Sequence, residues 1–332
     1  MAEVTLSIII PAYNASQYLD ECICSVMSST YKEFEVLLVD DGSTDGTSDL
    51  CDQLADRYPV IKVFHTENRG LSSARNLGMK NASGKYIGFV DADDYVSANM
   101  FEVLVNAIDE TDADMVVCGF QRCQRSELRS APSKTNVVFT KQRADIARKI
   151  LCDGYGCYVW NKLYRKSILD QKNVVFRIDC GIAEDLYFTI EYLQYCAKAT
   201  FIEEKLYYYV MNETSLMNSF RNNRIVGDKY WGLPRAWRYT ANVIKDISED
   251  LEVYAQSRAI MFYQTVLRKL EKPDSEYIEE AAAYVKQNKS VLRRYRWGWK
   301  YYLSAIILSM NYPLWTAIFR RNARPNKNEE RK

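Results

Sequence analysis

Tyr86-Ile87-Gly88-Phe89-Val90-Asp91-Ala92-Asp93-Asp94-Tyr95 decides how this chain is read. Residues 86–90 form a short apolar run rich in β-formers, which predicts a buried strand. Three carboxylates, Asp91, Asp93 and Asp94, stand at its carboxyl end. Desolvating a carboxylate is expensive, so such a cluster needs compensation. A hard divalent cation, Mg²⁺ or Mn²⁺, supplies it by taking carboxylate oxygens together with substrate phosphates. The position agrees, because ligands of open α/β sheets bind beyond the carboxyl ends of the strands. Taken alone, the same residues also read as a solvated turn with an Asp helix cap.

Outward from this stretch, strands and helices alternate. A strand is expected over residues 4–10, closed by Pro11, with Pro11-Ala12-Tyr13-Asn14 as the loop beyond it. Ser16 is placed to cap a helix to about residue 29. Tyr18, Leu19, Cys22, Ile23, Val26 and Met27 fall on one helical face. A strand over 34–39 runs into Asp40-Asp41-Gly42-Ser43-Thr44-Asp45-Gly46, a turn capping a helix through about residue 58. A third strand covers 60–64, a helix 71–81, another helix 98–111 and a strand 115–120. This order predicts an α/β fold with a mostly parallel central sheet and right-handed crossovers. Polar residues gather at successive strand ends: Tyr13 and Asn14, Asp40 and Asp41, Asp91 and Asp93. Neither a Gly-x-Gly-x-x-Gly turn nor a P-loop is present, so acids and a metal would have to hold any nucleotide.

Two side chains carry alternatives. Asp41, on a strand-end turn, is suited to accept from a base N–H or a ribose hydroxyl, or to close an Asx-turn or cap. Arg75 sits among apolar Leu71, Ala74, Leu77 and Gly78. It could reach a base or diphosphate through charge-assisted hydrogen bonds, or pair with a nearby acid.

Four stretches, in order and spacing, resemble the family 2 glycosyltransferases of GT-A fold. They are Pro11-Ala12-Tyr13-Asn14; Val39-Asp40-Asp41-Gly42-Ser43-Thr44-Asp45; Asn68-x-Gly70-x-Ser72-x-Ala74-Arg75-Asn76-x-Gly78; and Phe89-Val90-Asp91-Ala92-Asp93-Asp94. The likeness is dense over residues 4–120 and thinner to about 215. It implies a Rossmann-like sheet flanked by helices and a nucleotide-sugar donor, usually a UDP-sugar. Pro11, Ala12, Tyr13, Asn14 and Asp41 would then surround the base and ribose, with Arg75 on the nucleotide. Asp93 would ligate the metal bridging the diphosphate, Mn²⁺ or Mg²⁺, and Asp91 with Ala92 would hold the ribose or support the metal. Transfer would invert the anomeric centre in one in-line displacement, with a carboxylate as general base and the metal acting on the leaving group. A nucleotidyltransferase and a non-catalytic scaffold on the same fold are the alternatives. The first lacks its usual Gly-rich basic loop after the opening strand.

Charge is unevenly divided over the 332 residues. Residues 1–120 hold 20 Asp and Glu against 7 Lys and Arg; the rest holds 37 Lys and Arg against 23 acids. An acidic half that binds an anionic ligand needs a mediating cation, and a basic half suits a phosphate-bearing partner or an anionic membrane. No nucleic-acid partner is expected. Nine cysteines, an odd number, and the absence of a recognisable secretory signal predict free thiols in a cytoplasmic protein. Cys22 and Cys24, Cys118 and Cys123, and Cys152 and Cys157 do not make a zinc set and are expected to be buried. The only histidine is His65.

Residues 1–215 are read as the catalytic domain, with 1–120 for the donor and 121–215 for the acceptor. Residues 121–140 look like a flexible loop. Trp160 and Lys162 suit a sugar face and an anionic group of a saccharide or lipid-linked acceptor. Glu184 and Asp185 open a helix predicted over 186–196, where acids commonly serve the helix dipole. The resemblance makes Asp185 the base and Glu184 its neighbour. Short strands are expected at 200–202 and 206–210. Residues 216–332 form a helical extension. Within it, residues 293–332 carry 10 Lys and Arg against two Glu, and residues 301–319 are uncharged. That length borders on a membrane span, but Asn311-Tyr312-Pro313 interrupts it. Two short helices lying on the inner face of the membrane are expected, with Trp297, Trp299 and Trp315 at the headgroups. A packed helix pair or a homodimer interface is the alternative.

Overall fold

The computed structural model describes residues 4–125, 137–211, 228–270, 273–294 and 298–320. It divides into two compact units, residues 1–179 with 184–212, and residues 180–183 with 213–332.

The first unit is built on a nine-stranded mixed sheet in the order β3-β2-β1-β4-β8-β6-β9-β5, with β7 paired to β9. β1 (Leu6–Ala12) and β2 (Phe34–Asp40) are buried at every position. That is the signature of parallel strands covered by helices on both faces, and it explains why neither segment alternates in hydropathy. β1 pairs in parallel with β2 and with β4 (Tyr86–Phe89), and β2 with the edge strand β3 (Ile61–His65). Pro11 lies inside β1 rather than closing it. Pairing with β4 ends at Ile9, so by Pro11 only the β2 side of the strand is laddered, and an imino acid is tolerated there.

Helix α1 (Leu19–Met27) buries Leu19, Cys22, Ile23 and Val26 against this sheet. Each such aliphatic contributes about 1.5–3 kcal/mol by burial. The expected cap does not form: the backbone N–H and hydroxyl of Ser16 both donate to Asp45, and the helix starts three residues later. α2 (Thr47–Arg57) and α3 (Leu71–Asn81) follow β2 and β3. Gly78 lets α3 lie close on β1, since a Cβ there would stand 2.5 Å from the Ile9 side chain.

Past β4 the sheet departs from the simple alternation. β5 (Tyr95–Val96) is a two-residue strand paired with Tyr208 and Tyr207, which staples the far end of the acidic turn. α4 (Met100–Thr111) leads to β6 (Met115–Cys123). Between β4 and β6 lies β8 (Lys162–Arg165), antiparallel to both. β7 (Val137–Thr140), α5 (Arg143–Leu151) and α6 (Lys166–Lys172) complete this part. The expected loop over 121–140 is therefore strand at both ends, and residues 126–136 lie outside the described residues. α7 (Glu184–Leu193) precedes β9 (Ala199–Val210), one long strand where two short ones were expected. A register shift around Gly119 in its pairing with β6 accounts for the apparent break.

The second unit is helical over Gly232–Ile244, Glu249–Lys269, Ser275–Asn288 and Trp299–Met310. Glu280 is its polar centre. Its carboxylate accepts from Trp231 Nε1, from Arg235, from Arg238 and from Tyr263 Oη. Among the described residues no helix is long and apolar enough to cross a membrane. Trp315, expected at headgroup level, is buried instead, and its indole N–H donates to Ser304 Oγ at 2.9 Å. Trp297 lies outside the described residues, and Trp299 is 70% exposed.

Candidate active site

The carboxyl ends of β1, β2 and β4 carry the predicted polar residues. Beyond β1, Tyr13 is exposed and Asn14 takes a left-handed conformation, φ 49°. Its backbone N–H donates to Ser43 Oγ at 3.0 Å, and its side-chain oxygen accepts from Thr44 N at 2.8 Å. The β1 loop is thereby tied to the β2 turn, with Ala12 buried behind it. Asp45 strengthens the tie. Against a desolvation cost, hydrogen bonds from Thr47 and Ser16 hold its carboxyl down at about 2.

Asp41 finds its partners in the backbone. Its carboxylate, 3% exposed, accepts from the backbone N–H groups of Arg69 at 2.9 Å and Gly70 at 2.8 Å. It thus clasps the loop that enters α3. Gly42 beside it has φ +73°, and a Cβ there would stand 2.6 Å from Asn68 N, so the turn and the loop must touch backbone to backbone.

Arg75 is 1% exposed and occupies the centre of the site. Nη2 donates to Asp91 Oδ1 at 2.9 Å, and Nη1 to Glu184 Oε1 at 3.2 Å and Asp185 Oδ1 at 2.6 Å. Its guanidinium carbon lies 5.2 Å from the Phe176 ring centroid. Of the two readings of Arg75, pairing with nearby acids is the one the structure displays. Phe176 is fixed in turn by Asn76, which exchanges two hydrogen bonds of 2.8 Å with its backbone.

Three carboxylates thus share one cation. Burial pushes the Asp185 carboxyl up, Arg75 pulls it down, and Glu184 and Asp91 push it up again, to about 7. At neutral pH Asp185 is poised between accepting and holding a proton.

The acidic turn sorts its three carboxylates by burial. Asp94 is 1% exposed and accepts from Tyr207 Oη and Val210 N, both at 2.7 Å, so it is a structural anchor. The Tyr207 hydroxyl also accepts from the Asp91 backbone N–H at 3.1 Å. Asp91 and Asp93 remain partly open to solvent. Negative charge is crowded here: burial first, then neighbouring Asp93 and Asp91, raises the Asp94 carboxyl, and the Cys22 thiol is raised by burial and the same acids.

Among the described residues no three His, Cys, Asp or Glu side chains converge to hold a metal by themselves. The donor chemistry still fits a divalent cation that takes one or two carboxylates from the protein and the rest of its shell from a diphosphate. Asp93, half-buried in the acidic turn, is the carboxylate that the resemblance assigns to it.

Trp160 and Lys162 do not face an acceptor. Trp160 is 3% exposed and stacks between Tyr158 and Tyr207, at centroid distances of 4.7 and 4.2 Å. Lys162 is fully buried, and its ammonium donates to the carbonyls of Gly156 and Tyr158 and to Asn161 Oδ1. Burial lowers its pKa to about 8. The cysteines are mostly buried, but Cys24 and Cys152 are exposed. Sequence reasoning gave no role to Phe176 or Tyr207 and placed Asp45 only in the turn that caps α2. Only Asp45 had a usable signal, two residues before the α2 start.

Residues 7–171 match the family model described as Glycosyl transferase family 2. The chain is 37% identical over 214 residues to the uncharacterized glycosyltransferase EpsJ of Bacillus subtilis, covering 64% of this chain and 62% of that one. It spans just under two thirds of the length of the curated relatives it first matches. Among solved structures it resembles Staphylococcus aureus TarS 1–349 in complex with UDP-GlcNAc, with a TM-score of 0.67 at 21% identity over 97% of this chain and 93% of that one. A mannosyltransferase from Pyrobaculum calidifontis, in complex with GDP-Man and Mn²⁺, superposes with a TM-score of 0.54 at 15% identity, over 95% and 86% of the two chains. These likenesses show the GT-A fold.

Proposed function

This chain belongs to glycosyl transferase family 2 through residues 7–171, and we propose that it moves a sugar from a UDP-sugar to an acceptor hydroxyl with inversion. The observation that carries this reading is the Arg75 cluster. One buried guanidinium holds Asp91, at the end of the donor-side strand β4, and Asp185, at the start of α7, with Asp185 titrating near 7. A base in that range is deprotonated often enough at neutral pH and still takes a proton readily.

In the proposed reaction the acceptor oxygen attacks the anomeric carbon from the face opposite the diphosphate. Its proton passes to Asp185 as the bond to the diphosphate oxygen breaks. Glu184 and Asp91 share Arg75 with the base and set its orientation. Tyr13 and Asn14 flank the base of the donor, while Asp41 acts through the loop it clasps. Asp93 would help to hold a divalent cation, which would supply charge neutralisation on the leaving group. The UDP-GlcNAc complex of TarS and the GDP-Man and Mn²⁺ complex of the mannosyltransferase support a nucleotide-sugar donor and a metal. A saccharide or lipid-linked acceptor in cell-surface polysaccharide synthesis is the setting we propose.

Calorimetry of UDP with and without Mn²⁺, on wild type and Asp93→Ala, tests the donor half. Metal-dependent binding that disappears in the variant supports the reading. Absence of UDP binding under any metal sinks it.

A further inference from the structure

The helix Trp299–Met310 is apolar on two opposite sides. With an advance of about 100° per residue, Ser304, Ala305 and Leu308 cluster on one side, and all three are buried. Trp299, Leu303 and Met310 cluster on the other, with exposures of 70%, 42% and 80%. An ordinary surface helix presents polar side chains there. The exposed apolar character continues past the break at Asn311, where Leu314 is 50% and Ile318 46% exposed. Nothing in this face is a lone surface hydrophobe, and a patch of this kind marks a contact.

Charge decides among occupants. From Ala281 to Asn328 the sequence contains ten Lys and Arg and no Asp or Glu. Lys286, Lys289, Arg293, Arg294 and Lys300, ahead of or beside the apolar face, are all exposed. So long a run of cations without a carboxylate complements an extended anionic surface. An anionic bilayer surface attracts each basic side chain and takes the apolar ones to the depth of the headgroup and acyl boundary.

We propose that the Trp299–Met310 helix and the turn after it dock on an anionic membrane surface, lying in the interface without crossing it. The proposal goes beyond the enzymatic reading and is independent of it, because docking is read without any sugar transfer.

The test uses the full chain with sedimented vesicles, one set of phosphatidylcholine alone and one of equal parts phosphatidylcholine and phosphatidylglycerol. Binding to the anionic set only, weakened by salt, is expected. The triple variant Leu303→Ser, Met310→Ser, Leu314→Ser should lower partitioning about tenfold or more while leaving the circular dichroism unchanged. Trp299→Phe should remove a blue-shifted part of the tryptophan emission seen on vesicle addition. Failure to bind anionic vesicles overturns the proposal. So does binding that the triple variant leaves intact, which would be charge attraction alone. Self-association of the wild type that the variant abolishes, with no vesicle binding, would assign the face to a second copy instead.

Discussion

Arg75 Nη1 donates to Asp185 Oδ1 at 2.6 Å, joining residues 110 positions apart in the sequence. The same guanidinium holds Asp91, two residues past the end of β4. The proposed base and the end of the donor-side strand are therefore positioned by one buried side chain.

Asp185→Asn should spare UDP binding and lower turnover by about 10²-fold or more. In the wild type, kcat/KM should rise with pH and level off above an apparent pKa of about 7, because the base works only once deprotonated. Steady-state kinetics across pH, beside calorimetry on the variant, check both. Near-normal turnover in the variant would remove Asp185 from the mechanism.

Arg75→Met should act on stability and chemistry together. Three carboxylates lose the cation they share, leaving a buried uncompensated charge that costs about 3–5 kcal/mol. Protonation of the cluster relieves part of this, so the alkaline shift of the pH–rate profile should accompany a lowered melting temperature. Arg75→Lys, which keeps the charge but not the fork, should recover stability in part. An unchanged pH profile in the Met variant would mean that Arg75 does not tune the base.

Tyr207→Phe separates anchor from metal site. It removes the hydroxyl that donates to Asp94 and accepts from the Asp91 backbone N–H, at a cost of about 1–3 kcal/mol. Thermal unfolding should show the loss, while the proposed dependence of UDP binding on Mn²⁺ should be unchanged. Asp93→Ala should do the reverse. If Tyr207→Phe abolished the metal requirement, the division of roles within the acidic turn would be wrong.

Glu280 should be the acid-sensitive point of the helical unit. Burial opposes its ionisation, but hydrogen bonds from Arg235, Trp231 and Tyr263 prevail and lower its pKa from 4.5 to about 2. A folded-state pKa below the unfolded one stabilises above about 4.5, and that stability is lost as pH falls toward 2. Glu280→Gln should lower unfolding free energy at neutral pH by about 2 kcal/mol and flatten the pH dependence between those values. Denaturant melts at several pH values read both effects.

Much of the fold was legible because its signals are local. β1, β2 and β4 are mainly apolar runs, and α3 begins and ends where its hydrophobic spacing and flanking residues indicate. β8 was not legible. A four-residue strand inserted antiparallel between β4 and β6 has no local mark, and its Lys162 reads as a surface residue until the carbonyls that receive it are known. β5 is two residues long and exists only through its pairing with β9.

The candidate site divides the same way. Asp91, Asp93, Asp41 and Asp185 announce themselves by standing where apolar segments end, since a carboxylate there must find a partner or a cation. Which partner each one finds is not a local property. Asp94 and Asp93 are neighbours in sequence, yet Tyr207 takes the first into the core and leaves the second at the rim. The acids that Arg75 pairs with on α7 could not be read locally, because only the fold brings α7 to α3. By itself, the sequence determined the strand and helix types, the parallel core of the sheet and the acids at its edge, because hydrophobic spacing and charge act within a few residues. The tertiary structure alone decided the pairings of those acids and the proton affinity of Asp185, because burial and Coulomb interaction depend on distances between segments far apart in the chain.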